Sequence, residues 1–233
     1  MTLSKSQGYG FGGLSVNSVA AACKALAIPL CAYARQPRSG SDYDWRGRGE
    51  EGHITLSLSE GEDELARKAA IAARGFAEIT AKLLPVNIKG KISPAKLMAD
   101  LLGKPEYSNK IALYAVGDQE RLTEVPKRGR QQQDWMRETI PFLGYWLWGS
   151  LLHYPGLFVN EVAAASHLNI ETESFRRPDV QAIFEAAVYR GPFADPEASR
   201  WWRGMLDDIV SNEGSGSHQG ESMVTIIAMN EQA

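Results

Sequence analysis

The side chains of this chain best suited to chemistry are basic ones, gathered in four short clusters: Arg46 with Arg48, Lys89 with Lys91, Lys127 with Arg128 and Arg130, and Arg176 with Arg177. Lysine and arginine spaced this closely contact phosphate, arginine through two parallel hydrogen bonds and lysine as a point charge. Tyr43 and Trp45 stand beside the first cluster, where an aromatic ring can stack on an unpaired base. The competing reading is a solvated loop in which those arginines pair with Asp42, Asp44, Glu50 and Glu51.

Other chemistries find less support. The histidines at 53, 153, 167 and 218 have no metal-ligand spacing, and His167 shares a helix with Glu161 without an HExxH arrangement. Asp207 and Asp208 are adjacent on a helix and so face different directions. His153, beside Tyr154, is the one position suited to acid-base work, against the plainer reading of a histidine favoured at a helix end. Cys23 and Cys31 lack zinc-knuckle spacing and read as two buried free thiols in a reducing compartment. The glycines of GYGFGG do not make a dinucleotide fingerprint, because Met1 to Gln7 offers no convincing strand before them. No cofactor or metal is expected.

Val159 to Ile170, VNEVAAASHLNI, has the pattern of a helix-turn-helix opening, and a near copy, VNSVAAACKALAI, stands at Val16 to Ile28. On that template Ala165 is the small residue where two helices cross, Leu168 and Ile170 flank the turn, and Asn169 takes the left-handed turn position. Phe175 then faces the core, Glu171 or Thr172 caps the second helix, and Arg176 and Arg177 project toward phosphate. Pro178 would stop that helix after two turns at most, and Glu171, Glu173 and Asp179 oppose entry into a groove. Plain helical packing produces the same apolar pattern. The two copies show no further correspondence that would mark a duplication.

These residues must be positioned by an α+β fold, predominantly helical, with a small antiparallel sheet or hairpin and several long loops. Residues 1–13 are expected to be a flexible arm, 14–130 a mixed α/β part, 131–211 a helical part with the helix-turn-helix-like segment at 159–177, and 212–233 a flexible tract ending in a strand or docking tail. A helix capped by Ser15 or Asn17 is ended by Pro29, and 35–52 is a long loop. His53 to Ser59 alternates as a half-buried strand. Glu60 to Leu84 is an amphipathic helix with acidic residues in its first turn, stopped by Pro85. Lys89 to Lys91 is a basic turn, and Ser93 with Pro94 starts a helix over Ala95 to Leu102. Lys110 to Val116 and Arg121 to Val125 form a hairpin, followed by a basic, amide-rich linker. From Asp134 an aromatic helix runs through Trp135, Phe142, Tyr145, Trp146 and Trp148, kinked or restarted by Pro141, and packs as core. Pro178 to Val188 and Glu197 to Val210 are helices, and Met223 to Met229 is an edge strand or docking tail.

At 233 residues, 44% hydrophobic and with a net charge of -3, the chain buries a real core and is not a uniformly basic nucleic-acid binder. No segment offers about 18 uninterrupted apolar residues, and the N-terminus lacks the form of a secretory signal, so a soluble cytoplasmic protein is expected, without membrane partners. The functional expectation is a non-enzymatic accessory or structural subunit of a bacterial-type nucleoprotein complex, touching the nucleic-acid backbone through the basic loops. Protein partners would engage the N-terminal arm, an aromatic surface or the C-terminal tail. The alternatives are a purely protein-binding structural subunit and, third, a small-molecule enzyme.

Overall fold

Apolar residues at helical spacing between Ile71 and Leu83 build the longest helix, and the rest of the first unit is organised on it. The computed structural model describes residues 2–4, 16–34, 54–57, 61–86, 88–115, 123–126, 129–152 and 156–215. It divides into two units, 1–151 with 191–193, and 152–190 with 194–233. The fold is α+β and mostly helical, with small antiparallel strand pairs.

In the first unit three short strands, β1 (Thr2–Ser4), β2 (Cys31–Ala34) and β3 (Ile54–Ser57), form a parallel sheet in that order. Cys31 pairs with Thr2 on one side and Ile54 on the other. Helix α1 (Val16–Ala25) is the crossover between β1 and β2, as parallel strands require. Thr2–Ser4 therefore belongs to a sheet, although the sequence placed it in a flexible arm. A three-residue strand is too short to display a period, and its pairing is non-local. The glycine-rich stretch does have a strand before it, while residues 5–15 lie outside the described ones. In β3, Ile54 and Leu56 are buried, as their alternation predicts.

Helix α2 (Glu62–Leu83) carries Glu62, Asp63 and Glu64 in its first turn, at the positive end of the dipole. Glu64 meets Lys68 at 3.4 Å, as its spacing predicts, and Arg67 more closely at 2.6 Å. The Arg67 hydrogen bond chiefly pulls the Glu64 carboxyl down to about 2. The buried face of α2 is Ile71, Ala72, Gly75, Phe76, Ile79 and Leu83. It packs against α5 (Arg130–Trp146), whose Ile140, Leu143, Gly144, Tyr145 and Trp146 are buried. The aromatic stripe is thus core, with the Phe76 and Tyr145 rings edge to face at 5.4 Å. The Tyr145 hydroxyl accepts a hydrogen bond from the Leu30 amide at 2.9 Å and so ties α5 to the start of β2.

Of the two expectations for Pro141, a kink or a restart, the restart is corrected: the helix continues through it and then passes into a π turn at Leu147–Leu151. Proline removes one amide donor, and the burial of the surrounding apolar face offsets that loss. Gln131 to Gln133 are its first turn, not a linker.

Helix α3 (Pro94–Leu101) starts where the sequence places it. The Ser93 hydroxyl accepts from the Lys96 amide at 3.1 Å, and Pro94 occupies the first turn. The expected hairpin does not form. Ser108–Ala112 is a short helix, α4, with Ile111 fully buried. Strand β5 (Thr123–Val125) pairs instead with β4 (Gly90–Ile92), antiparallel, so Lys91 lies in a strand rather than a turn.

In the second unit β6 (Phe158–Val159) and β7 (Trp201–Trp202) pair antiparallel. Strand alternation sends Val159 and Trp201 toward one cluster with Phe175, Val180, Phe184 and Leu206. Phe158 and Trp202 pack together, rings 4.4 Å apart, with Tyr189 against Phe158. The last helix, α9, is Arg203–Ser215 rather than 197–210. Its expected beginning is diverted because adjacent tryptophans are strand formers with a partner strand available. Asn212–Ser215, expected to open the glycine-serine tract, belong to this helix. Residues 216–233, including the apolar stretch at 223–229, lie outside the described residues.

Candidate functional site

The helix-turn-helix-like segment is built almost residue by residue as its pattern predicts. Helix α6 (Glu161–Leu168) is capped by Asn160, whose side-chain oxygen accepts from the Ala163 amide at 2.9 Å. Asn169 ends it in the left-handed conformation, φ 56° and ψ 41°. The Ile170 amide then reaches back to the Ala165 carbonyl at 3.0 Å, the bond that closes a helix through a left-handed residue. Ala165 and Phe175 are fully buried, and Leu168 and Ile170 pack against the same cluster. Alanine at 169 should lower stability by about 1 kcal/mol while glycine leaves it unchanged or raises it, in chemical denaturation. Equal stability of the two variants would exclude a role for the left-handed turn.

The second helix of the motif, α7, spans only Thr172–Arg176. Arg177 is extended, φ -61° and ψ 135°, and Pro178 begins α8 (Pro178–Ile183). Proline disfavours the helical conformation at the residue before it, and Arg177 follows that local steric preference. Glu171 occupies the cap position without a side-chain cap bond.

The geometry sets Arg176 and Arg177 against carboxylates rather than free toward phosphate. Arg176 donates to Glu161 at 2.5 Å and to Glu173 at 2.7 Å. Arg177 donates to Asp179 at 2.7 Å. The hydrogen bond from Arg176 holds the Glu161 carboxyl below its ordinary value of 4.5, and the one from Arg177 holds Asp179 down likewise. A carboxyl depressed in the folded state contributes its stability in full above the unfolded value and loses it as pH falls through the folded one. Thermal scans from neutral pH to about pH 3 should therefore show a steeper acid decline for the wild type than for Glu161→Gln. The difference should be small because the pair is open to solvent. Parallel curves would show that the pair does not contribute.

Lys89, Lys91 and Arg130 are exposed. Gly90 pairs with Val125, and the Gln132 side chain donates to the Ile88 carbonyl at 3.0 Å, which ties the start of α5 to the residue before Lys89. Glu124 is the cross-strand partner of Lys91, so a carboxylate stands opposite that lysine. Arg46, Arg48, Lys127, Arg128 and His153 lie outside the described residues.

One pairing escaped the sequence. His167 Nε2 lies 2.6 Å from Asp207 Oδ1, joining the last turn of α6 to α9. No local signal couples positions 40 apart. The contact braces the helix that ends in Asn169. No family model, curated protein or solved structure matches the chain, and its own residues carry the functional reading.

Proposed function

We propose that this chain is a non-enzymatic accessory subunit of a nucleoprotein complex and meets the nucleic-acid backbone through Lys89, Lys91 and Arg130. The observation that supports this reading is the Gln132 hydrogen bond to the Ile88 carbonyl, which ties the start of α5, where Arg130 stands, to the residue before Lys89. Lys127 and Arg128 adjoin Arg130 in the chain and add charge to the same stretch. Arg176 and Arg177 are the weaker contributors, because each phosphate contact there must displace an existing carboxylate.

Affinity for a duplex and for a single strand, measured by fluorescence anisotropy across a salt series, tests the proposal. Replacing Lys89, Lys91 and Arg130 by glutamate should abolish binding near physiological salt and lower the log-log salt slope by about 3. The reading fails if the wild type does not bind at low salt or if the triple variant binds equally well. A purely protein-binding subunit is the second reading, favoured by isolated apolar side chains such as Leu26 and Leu113, 67% and 82% exposed. It expects assembly to persist in the triple variant.

A further inference from the structure

Strands β4 and β5 form a two-stranded antiparallel ribbon whose two faces are unlike. Residues paired across a ladder share a face, and successive pairs alternate between the faces. Gly90 with Val125 and Ile92 with Thr123 lie on one face, where Ile92 and Val125 are buried. The pair between them, Lys91 and Glu124, therefore lies on the other face, and both residues are exposed.

Opposite charges directly across a ladder ordinarily attract each other. Among the described residues, however, no ion pair or hydrogen bond joins Lys91 to Glu124. The solvent face of the ribbon thus presents one ammonium, which only donates, beside one carboxylate, which only accepts. The Cβ atoms of directly opposed residues stand about 4.5 to 5.5 Å apart, so both tips can reach a single base pair.

Duplex DNA is the nucleic acid that matches this pairing. Its major groove admits a two-stranded ribbon, whereas the minor groove is about half as wide, and A-form RNA hides the same base edges in a deep, narrow groove. At a G·C pair guanine N7 and O6 are neighbouring acceptors for a lysine, and the cytosine amino group beside them is a donor for a glutamate. At an A·T pair the purine N7 stands next to an amino donor, which leaves the ammonium one purine acceptor in place of two. Glu124 weakens simple attraction to phosphate, so its contribution to a nucleic-acid surface is discrimination rather than affinity.

We propose that the β4–β5 ribbon enters the major groove of duplex DNA and selects G·C pairs, Lys91 donating to guanine N7 and O6 and Glu124 accepting from the cytosine amino group. Lys89, next to the ribbon in the chain, and Arg130 stay on the phosphates, which position the protein without reading sequence. The inference rests on the proposed nucleic-acid binding and gives Lys91 a base edge where that reading uses its charge alone.

The test measures fluorescence anisotropy of the full chain with labelled duplexes of one length: a G·C duplex, the same duplex with 7-deazaguanine or with inosine for guanine, and an A·T duplex. The first substitution removes only N7 from the major groove, and the second only the amino group in the minor groove. The wild type should bind the 7-deazaguanine and A·T duplexes about fivefold or more weakly, and the inosine duplex as tightly as the G·C one. Lys91→Met should bind all four alike, and Lys91→Arg should keep the preference. Glu124→Gln should bind the A·T duplex more tightly than the wild type does and lose part of the preference. Duplex binding that ignores 7-deazaguanine overturns the inference and leaves the proposed function standing, and so does a preference that survives Lys91→Met. Equal weakening by inosine also overturns it, by placing the contact in the minor groove. Binding to single strands alone overturns the inference only, and binding to neither form sinks both readings.

Discussion

Phe175→Ala lowers the stability of the second unit by about 3 to 5 kcal/mol, the range for deleting a buried phenyl ring. Phe175 is fully buried at the centre of the cluster that Val159, Ala165, Val180, Trp201 and Leu206 share. Its ring lies 5.0 Å from Trp201, edge to face, and 5.9 Å from Phe184, so both aromatic contacts disappear with the side chain. The neighbours come from five different segments, β6, α6, α8, β7 and α9, and cannot all close on the space at once. Hydrogen exchange measures the outcome locally: amides of α6, α8 and α9 should lose protection together. A loss below about 1 kcal/mol would mean that the cluster collapses freely around alanine, contrary to this packing.

Gly144→Val destabilises the first unit by about 3 kcal/mol, through overpacking rather than a cavity. A Cβ at Gly144 would overlap the Phe76 ring, and one at Gly75 would overlap Phe193. Phe76 cannot swing aside cheaply, because its ring is also set against Tyr145 at 5.4 Å and Phe193 at 5.2 Å. Glycine in mid-helix is ordinarily unfavourable, and at position 144 it is what allows α2 and α5 to approach with a phenyl ring between them. Urea denaturation of Gly144→Val and of the double variant Gly144→Val with Phe76→Leu tests the mechanism. The second change should restore part of the loss, and additive effects would exclude the steric explanation.

What could be read from the residues in order is what short-range physics controls. The α2 boundaries, the Ser93 cap with Pro94, and the Asn169 turn each depend on hydrogen bonds or sterics within one or two helical turns. The same locality made the aromatic stripe legible as core and Pro178 as the end of α7. Where the reading failed, the partner was distant. Lys110 to Val116 has strand-like composition, yet Ile111 is buried from a helix, and Thr123–Val125 finds its ladder at Gly90–Ile92. Trp201 and Trp202 have helical neighbours in the sequence and a strand partner only in space.

The candidate site divides in the same way. Sequence alone determined that basic side chains occur in clusters, that one helix-turn junction is left-handed, and that the second motif helix must be short. Tertiary structure decided which distant carboxylates those charges meet. It placed Glu161 beside Arg176, fifteen residues away, whereas Arg177 pairs with Asp179 two residues on. It also tied the start of α5 to the residue before Lys89 through the Gln132 hydrogen bond, which no periodicity announces. The physical reason is that charge identity is local, whereas compensation of charge and enclosure of apolar surface depend on which segments fold against one another.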